Sequence, residues 1–197
     1  IEIDLLHLQV QFLIAMLALD FILILTMLMI YQYMKYREYQ GEIDFLTGVM
    51  GRRLFLQHCQ NIQSDQRIHG HQGWFLFLDV DWFKQINDKL GHIAGDETLK
   101  KFAMFLKEQF EPYGAVGRVG GDEFAVMIEE EMSQEALEEE MKQFFQNISG
   151  IQKEVTVSCS IGVYRFKYPK TIKELLTKTD EILYEAKANG RGCFVIR

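Results

Sequence analysis

The chain has 197 residues and a formal net charge of −7, from 21 Lys and Arg residues against 28 Asp and Glu residues. This acidic balance argues against general nucleic-acid binding and leaves the few basic side chains for local contacts with phosphate. The three cysteines are widely spaced, which excludes a disulfide framework as the basis of the fold.

The first predicted element is an apolar helix. Residues 12–31 form a stretch of twenty in which only Asp20 and Thr26 are polar. As a helix, this stretch is long enough to cross a hydrocarbon layer of about 30 Å. Acidic residues precede it and basic residues follow it, which predicts that the rest of the chain is cytoplasmic. The acidic residues are Glu2 and Asp4, and the basic ones are Lys35 and Arg37.

Two alternatives for this segment are a buried dimerisation helix in a soluble protein and a signal peptide. Apolar residues on every face disfavour the first, and the lack of a basic n-region and a cleavage site disfavours the second. Asp20 would lie in mid-span, where an acid usually faces another helix or an aqueous cavity. Asp20 is interpreted either as part of a helix–helix contact or as a tolerated single acid.

After a helix that is predicted to end near residue 61, a short apolar run at 75–78 predicts a strand over residues 74–79. This strand ends at Asp79, and Asp81 follows one residue later on the same side. Asp79 is a candidate ligand for a hard divalent cation. For Asp81, the alternative is a cap on the helix that starts near Trp82.

Helical spacing then predicts helices over about residues 82–90 and 95–110, with a stop at Gly91. Asn87 and Asp96 could meet at one point, although their spacing alone does not establish it. An amide and a carboxylate can together read the edge of a guanine.

The most informative stretch is residues 118–124, Arg-Val-Gly-Gly-Asp-Glu-Phe. The Gly-Gly pair permits a tight turn, so we expect a hairpin over about residues 115–129 with Asp122 and Glu123 at its tip. Carboxylates at such a tip suit a divalent cation, with Asp79 as a partner, although the same motif also occurs in solvated turns.

The remaining pattern predicts a helix over 133–148, a strand over about 155–165, a helix over 171–189 and a strand over 192–196. Together, these elements predict an α+β fold with an antiparallel-rich central sheet flanked by helices. Lys187 and Arg191 are four residues apart and are predicted to share one face at a helix end. The alternative for them is an ordinary basic C-terminal turn that complements the helix dipole.

Five motifs, in order along residues 44–197, resemble those of the GGDEF domain, the catalytic domain of diguanylate cyclases. They are Asp-Phe-Leu-Thr-Gly at 44–48, the block at 79–96, Gly-Gly-Asp-Glu-Phe at 120–124, Ser-Ile-Gly-Val at 160–163 and Ala-Lys-Ala-Asn-Gly-Arg at 186–191. The resemblance divides the chain into a transmembrane and linker helix over residues 1–43 and a catalytic domain over residues 44–197.

The resemblance implies a palm-like sheet and a homodimer that condenses two GTP molecules into cyclic di-GMP with release of two pyrophosphates. Mg²⁺ or Mn²⁺ would be held by Asp79, Asp122 and the carbonyl of Val80. Glu123 would assist the metal or the attacking hydroxyl, and Arg118 would stabilise charge at the reacting phosphate. The implied substrate contacts are Asn87 and Asp96 for guanine, and Lys187, Arg191 and the backbone amides of Phe83 and Lys84 for the triphosphate.

Two positions refine this expectation. Many relatives carry an Arg-x-x-Asp product-binding site where this chain has Glu111-Pro112-Tyr113-Gly114, so product inhibition is not expected. The acid at Asp96 favours GTP over ATP. The alternatives in other classes are a silent GTP-binding regulatory domain and a structural membrane-tethered dimerisation module.

The localisation implied is the inner cell membrane, with one visible span and a cytoplasmic catalytic domain. The chain begins with Ile1 rather than Met, which is compatible with a processed or truncated piece of a longer sensor.

Overall fold

The computed structural model describes residues 2–40, 43–65 and 70–197, and in the first helix it describes the side chains of residue 7 and of residues 9–34. The contacts divide the chain into two compact units, Ile1–Gln40 and Gly41–Arg197. The charged side chains on which the predicted orientation rests, Glu2, Asp4, Lys35 and Arg37, lie outside the described residues.

The first unit is a single helix, α1 (Glu2–Gln40). Its segment Gln9–Met34 has a mean hydropathy of 2.7 and is long and apolar enough to cross a membrane. The hydroxyl of Thr26 donates to the carbonyl of Leu23 at 2.8 Å, so this polar side chain is satisfied within the helix. The length and composition of α1 therefore agree with the predicted span.

The second unit is built on a six-stranded mixed sheet with the order β1-β3-β4-β2-β5-β6. The four central strands are antiparallel to one another, while the edge strands β1 and β6 pair in parallel with β3 and β5. The strands are β1 (Met50–Gly51), β2 (Gln72–Val80), β3 (Gly114–Arg118), β4 (Glu123–Ile128), β5 (Cys159–Lys167) and β6 (Phe194–Ile196).

Helices cover both faces of this sheet, which explains why β2 is apolar almost throughout instead of alternating. Leu76 and Leu78 point toward one cluster, with α3, α4 and α5, while Phe75 and Phe77 point toward another, with α2 and α6. The helices are α2 (Arg52–Ser64), α3 (Phe83–Leu90), α4 (His92–Phe110), α5 (Gln134–Ser149) and α6 (Ile172–Ala188). The predicted α+β fold is confirmed.

Helix α6 lies very close to the sheet. At its start, Thr171 and Glu174 form a reciprocal capping box, which satisfies free backbone amides of the first turn. In the strand below, Gly162 faces the backbone of Thr179 and Leu183, and any side chain at this position would overlap them. Glycine at 162 therefore sets the close approach of α6, the helix that carries Lys187.

Several predicted boundaries differ from the structure by one to four residues. Helix α4 begins at His92 rather than at 95, because Gly91, with φ of 84°, makes the whole break between α3 and α4. Strand β5 begins at Cys159 rather than at 155. Helix α6 ends at Ala188, so Arg191 lies beyond it.

Candidate active site

The hairpin tip brings three carboxylates together at one end of the sheet. In the antiparallel register of β2 and β4, Asp79 lies directly opposite Glu123. The amide of Val80 donates to the carbonyl of Asp122 at 3.1 Å, which ties the end of β2 to the turn. The carboxylate of Glu123 lies over Gly120, where any side chain would overlap it. The predicted hairpin with an acidic tip is confirmed.

These carboxylates lie close enough to perturb one another. Burial raises the pKa of Asp79, Lys187 opposes that shift, and the charges of Asp122 and Asp81 add to it. Burial also raises the pKa of Glu123, and the charges of Asp79 and Asp122 raise it further. The tip therefore concentrates negative charge in a partly buried place, as expected for a site that is completed by a cation.

Lys187 supplies one positive charge to this cluster. Its Nζ lies 2.8 Å from Oδ2 of Asp79, and the two side chains are 30% and 16% exposed. Among the described residues, no group of three or more His, Cys, Asp or Glu side chains is arranged to hold a metal ion. Mg²⁺ commonly uses only one or two carboxylates, together with water and substrate phosphates. Asp79 and Asp122 fit that requirement by their chemistry.

The two residues predicted to read guanine lie near each other on α3 and α4. Oδ1 of Asn87 lies against Gly95, where any side chain would overlap it, and Asp96 is the next residue along α4. Within the described part of the chain, the side chains of Asn87 and Asp96 make no hydrogen bond. Both are therefore free to bind a ligand.

A third group of donors lies at the start of α3. The backbone amides of Phe83 and Lys84 donate to no acceptor among the described residues, as expected for the first amides of a helix. Arg191 lies against the residue before these amides, since its guanidinium carbon is 4.2 Å from the ring centre of Trp82. Free amides at a helix start next to a guanidinium suit a phosphate group.

Comparison with known proteins identifies the family of this chain. Residues 42–193 match the family described as "Diguanylate cyclase, GGDEF domain". The chain belongs to the GGDEF family.

Diguanylate cyclase DgcS of Shewanella oneidensis is 33% identical to this chain over 164 residues, which cover 82% of this chain and 55% of DgcS. Diguanylate cyclase TpbB of Pseudomonas aeruginosa is 35% identical over 160 residues, which cover 78% of this chain and 37% of TpbB. The GGDEF chain thus spans about half or less of these relatives.

Solved structures share the fold. The crystal structure of the diguanylate cyclase SiaD of Pseudomonas aeruginosa, in complex with its activator SiaC, has a TM-score of 0.72 at 26% identity, covering 88% of this chain and 70% of SiaD. The GGDEF domain of TpbB has a TM-score of 0.66 at 32% identity, covering 78% of this chain and 93% of that domain.

The structure corrects two details of the GGDEF chain's predicted site. Lys187 and Arg191 do not share a helix face, because α6 ends at Ala188 and Arg191 adopts a left-handed conformation with φ of 65°. Asp81 does not cap α3, whose first flanking residue is Trp82 and which has no side-chain cap.

Asp81 instead connects three segments of the domain: the end of β2, residues 158–160 and the segment after α6. Its buried carboxylate accepts hydrogen bonds from Oγ of Ser158 at 3.0 Å, from Oγ of Ser160 at 2.7 Å and from the amide of Gly192 at 2.9 Å. The segment after α6, which carries Arg191, is thereby attached to the end of β2. Sequence reasoning missed this role because the three partners lie far away along the chain.

Arg118 and Asp44 form a second connection that sequence reasoning did not find. Nε and Nη2 of Arg118 donate to the carbonyl of Gly121 at 3.1 and 2.6 Å, and Nη1 donates to Oδ1 of Asp44 at 2.9 Å. In this structure, Arg118 holds the hairpin turn. Its predicted contact with the reacting phosphate stays a prediction. The one local signal was the Asp-x-x-Thr spacing of Asp44 and Thr47, which is typical of a side-chain-stabilised turn.

Residues 111–114, which stand where many relatives carry the Arg-x-x-Asp motif, are packed against the neighbouring strand and α5. Glu111–Tyr113 forms a 3₁₀ helix, and the hydroxyl of Tyr113 donates to Oε1 of Glu140 at 2.9 Å. Gly114 faces the carbonyl of Met127 on the neighbouring strand, and any side chain there would overlap it. An aspartate at 114 would therefore require β3 and β4 to move apart.

Proposed function

We propose that this GGDEF chain is a diguanylate cyclase that condenses two GTP molecules into cyclic di-GMP and two pyrophosphates. The observation that carries the proposal is the grouping of Asp79, Asp122 and Glu123 at the hairpin tip, with Lys187 2.8 Å from Asp79. Acidic oxygens next to a cationic side chain suit a reaction between metal-bound polyphosphates.

Substrate binding would use the donors on either side of this tip. Asn87 and Asp96 would hydrogen-bond to guanine, and the carboxylate of Asp96 would favour GTP over ATP by accepting from its N1 and N2 hydrogens. The free amides of Phe83 and Lys84, together with the guanidinium of Arg191, would bind the triphosphate. These contacts would bring the α-phosphorus near the carboxylates.

In the reaction, the 3′-oxygen of one GTP forms a bond to the α-phosphorus of the other, and the bond from that phosphorus to the pyrophosphate oxygen breaks. Mg²⁺ or Mn²⁺ held by Asp79, Asp122 and the carbonyl of Val80 would neutralise charge on the phosphates. Glu123 would accept the proton of the 3′-hydroxyl, and its raised pKa makes its carboxylate a stronger base. Lys187 would move from Asp79 to the leaving pyrophosphate.

Each chain would bind one GTP, so two active sites must face each other and the active form would be a homodimer. Helix α1 would anchor the chain in the cell membrane through the segment Gln9–Met34, with the catalytic unit on the cytoplasmic side. Anything that sets the distance between two such units would control turnover, because the reaction requires both nucleotides at one place.

The test is to incubate the full chain, purified in detergent, with GTP and Mg²⁺ and to separate the products by chromatography and mass. The double variant Asp122→Ala with Glu123→Ala should make no product. The matched control, Glu130→Ala with Glu131→Ala, removes the same charge from two exposed residues beyond the hairpin and should match the parent.

A chain that binds GTP but makes no cyclic di-GMP, even when two copies are joined by a fused coiled coil, would contradict the proposal. That outcome would indicate a silent GTP-binding regulatory domain. Equal product from the parent and from the double variant would show that the hairpin acids have no role.

A further inference from the structure

Two residues of the described chain share an unusual backbone conformation and touch each other. Trp82 has φ of 57° and Arg191 has φ of 65°, and they are the only non-glycine residues with positive φ in the part that the structure describes. Left-handed backbone is costly for a large side chain and persists only where the surroundings impose it. Such strain is found more often at functional sites than elsewhere.

The contact between them is a cation–π stack, with the guanidinium carbon of Arg191 4.2 Å from the ring centre of Trp82. Trp82 remains 55% exposed, so the indole contributes little to the core. Nε of Arg191 also lies 4.0 Å from Oδ1 of the buried Asp81. The guanidinium is thus held from one side by a ring and from another by a carboxylate.

The position of this stack indicates a role in substrate binding. Trp82 directly precedes α3, whose first amides, of Phe83 and Lys84, donate to no acceptor among the described residues. The indole therefore holds Arg191 against the residue that directly precedes those amides. Arginine loses side-chain freedom when it binds phosphate, and holding it in place beforehand reduces that cost.

We infer that Trp82 is a positioning residue that holds Arg191 ready for the triphosphate of GTP. The inference rests on the proposed function, because it assumes that a guanosine triphosphate occupies this site. Trp82 itself need not touch the substrate.

The experiment compares Trp82→Asn and Trp82→Tyr with the parent, as full chains in detergent. Asparagine tolerates left-handed backbone but has no ring, while tyrosine keeps a ring in the same strained position. The readouts are the Kd for GTP and for GMP, which lacks the β- and γ-phosphates, and the urea midpoint. We expect Trp82→Asn to raise the Kd for GTP about three- to tenfold, with no loss in the urea midpoint and no change for GMP. The Kd of Trp82→Tyr for GTP should lie between those of the parent and Trp82→Asn.

A double-mutant cycle separates positioning from a general structural effect. In an Arg191→Ala background, Trp82→Asn should change the Kd for GTP by less than about twofold, because there is no guanidinium left to position. Equal losses for GTP and GMP, or the same loss with and without Arg191, would overturn the inference. A parent that binds GTP without turnover, even when two copies are joined by a fused coiled coil, would overturn only the cyclase proposal. A parent that binds no GTP would overturn both.

Discussion

The bond between Asp44 and Arg118 should be a main source of stability for the hairpin that carries Asp122 and Glu123. Oδ1 of Asp44 accepts from the amide of Thr47 at 2.9 Å, from its hydroxyl at 2.6 Å and from Nη1 of Arg118 at 2.9 Å. The side chains of Arg118 and Asp44 are only 13% and 19% exposed. The substitution Asp44→Ala would leave a largely buried guanidinium without its carboxylate.

The size of the effect follows from these contacts. A hydrogen bond to a charged group contributes about 1.5–3 kcal/mol to stability, and the two neutral bonds to Thr47 contribute less. We expect Asp44→Ala to lower the free energy of unfolding of the second unit by about 2–3 kcal/mol. The matched control Asp88→Ala removes an exposed acid and should change it by less than about 0.5 kcal/mol.

The assay is urea unfolding of the full chain in detergent, followed by tryptophan fluorescence. Trp74 and Trp82 are the two tryptophans of the chain and both belong to the second unit, so the signal reports on that unit. A loss no larger than that of Asp88→Ala would refute the reasoning.

The stability difference between the parent and Asp44→Ala should also depend on pH. Burial alone would raise the pKa of Asp44, but the bonds from Thr47 and Arg118 outweigh burial and hold that pKa below its usual range. A lowered folded pKa stabilises the fold above the unfolded value of about 3.9, and this contribution is lost as pH falls through the folded pKa. The gap between parent and Asp44→Ala should therefore be full at neutral pH and should close in acid. A gap that stays constant into strong acid would contradict the assignment.

Three further outcomes are expected. Gly162→Ala should destabilise the second unit by about 1–3 kcal/mol in the same urea assay, because the added methyl overlaps the backbone of Thr179 and Leu183. An unchanged midpoint would contradict the close packing of α6. Glu123→Gln should abolish turnover yet raise the urea midpoint at neutral pH, because burial raises the folded pKa of Glu123 and makes its ionised form unfavourable in the folded state. Below about pH 4 the midpoint should not change. A less stable variant at neutral pH would contradict this prediction. Turnover of the parent should not be inhibited by micromolar cyclic di-GMP, and inhibition with product bound beside Glu111 would refute that prediction.

Much of the fold could be predicted because it is encoded locally. The apolar run before Asp79, the Gly-Gly pair before Asp122 and the helical spacing around Lys187 each specify an element through contacts within a few residues. Boundaries were less accurate where no local signal marks them. Strand β5 begins four residues later than predicted, because apolar residues such as Val157 are buried in the core without joining the sheet.

The family and its candidate site residues were predicted for the same reason, since the residue types and their order are visible in the chain. The predicted roles of Asn87, Asp96 and Arg118 stay predictions about ligands. The structure adds that Asn87 lies against Gly95, the residue before Asp96. It also adds that Arg118 donates to the carbonyl of Gly121, in the turn that precedes the acids.

The sequence by itself determined the long apolar helix, the α+β elements and the acidic hairpin, because each depends on neighbours along the chain. Only the tertiary structure decided that Asp81 joins the segments around Ser158 and Gly192, and that Trp82 stacks on Arg191. These partners are separated by tens of residues or more. Their contacts exist only after the sheet and α6 have packed, so no periodicity or spacing in the sequence could predict them.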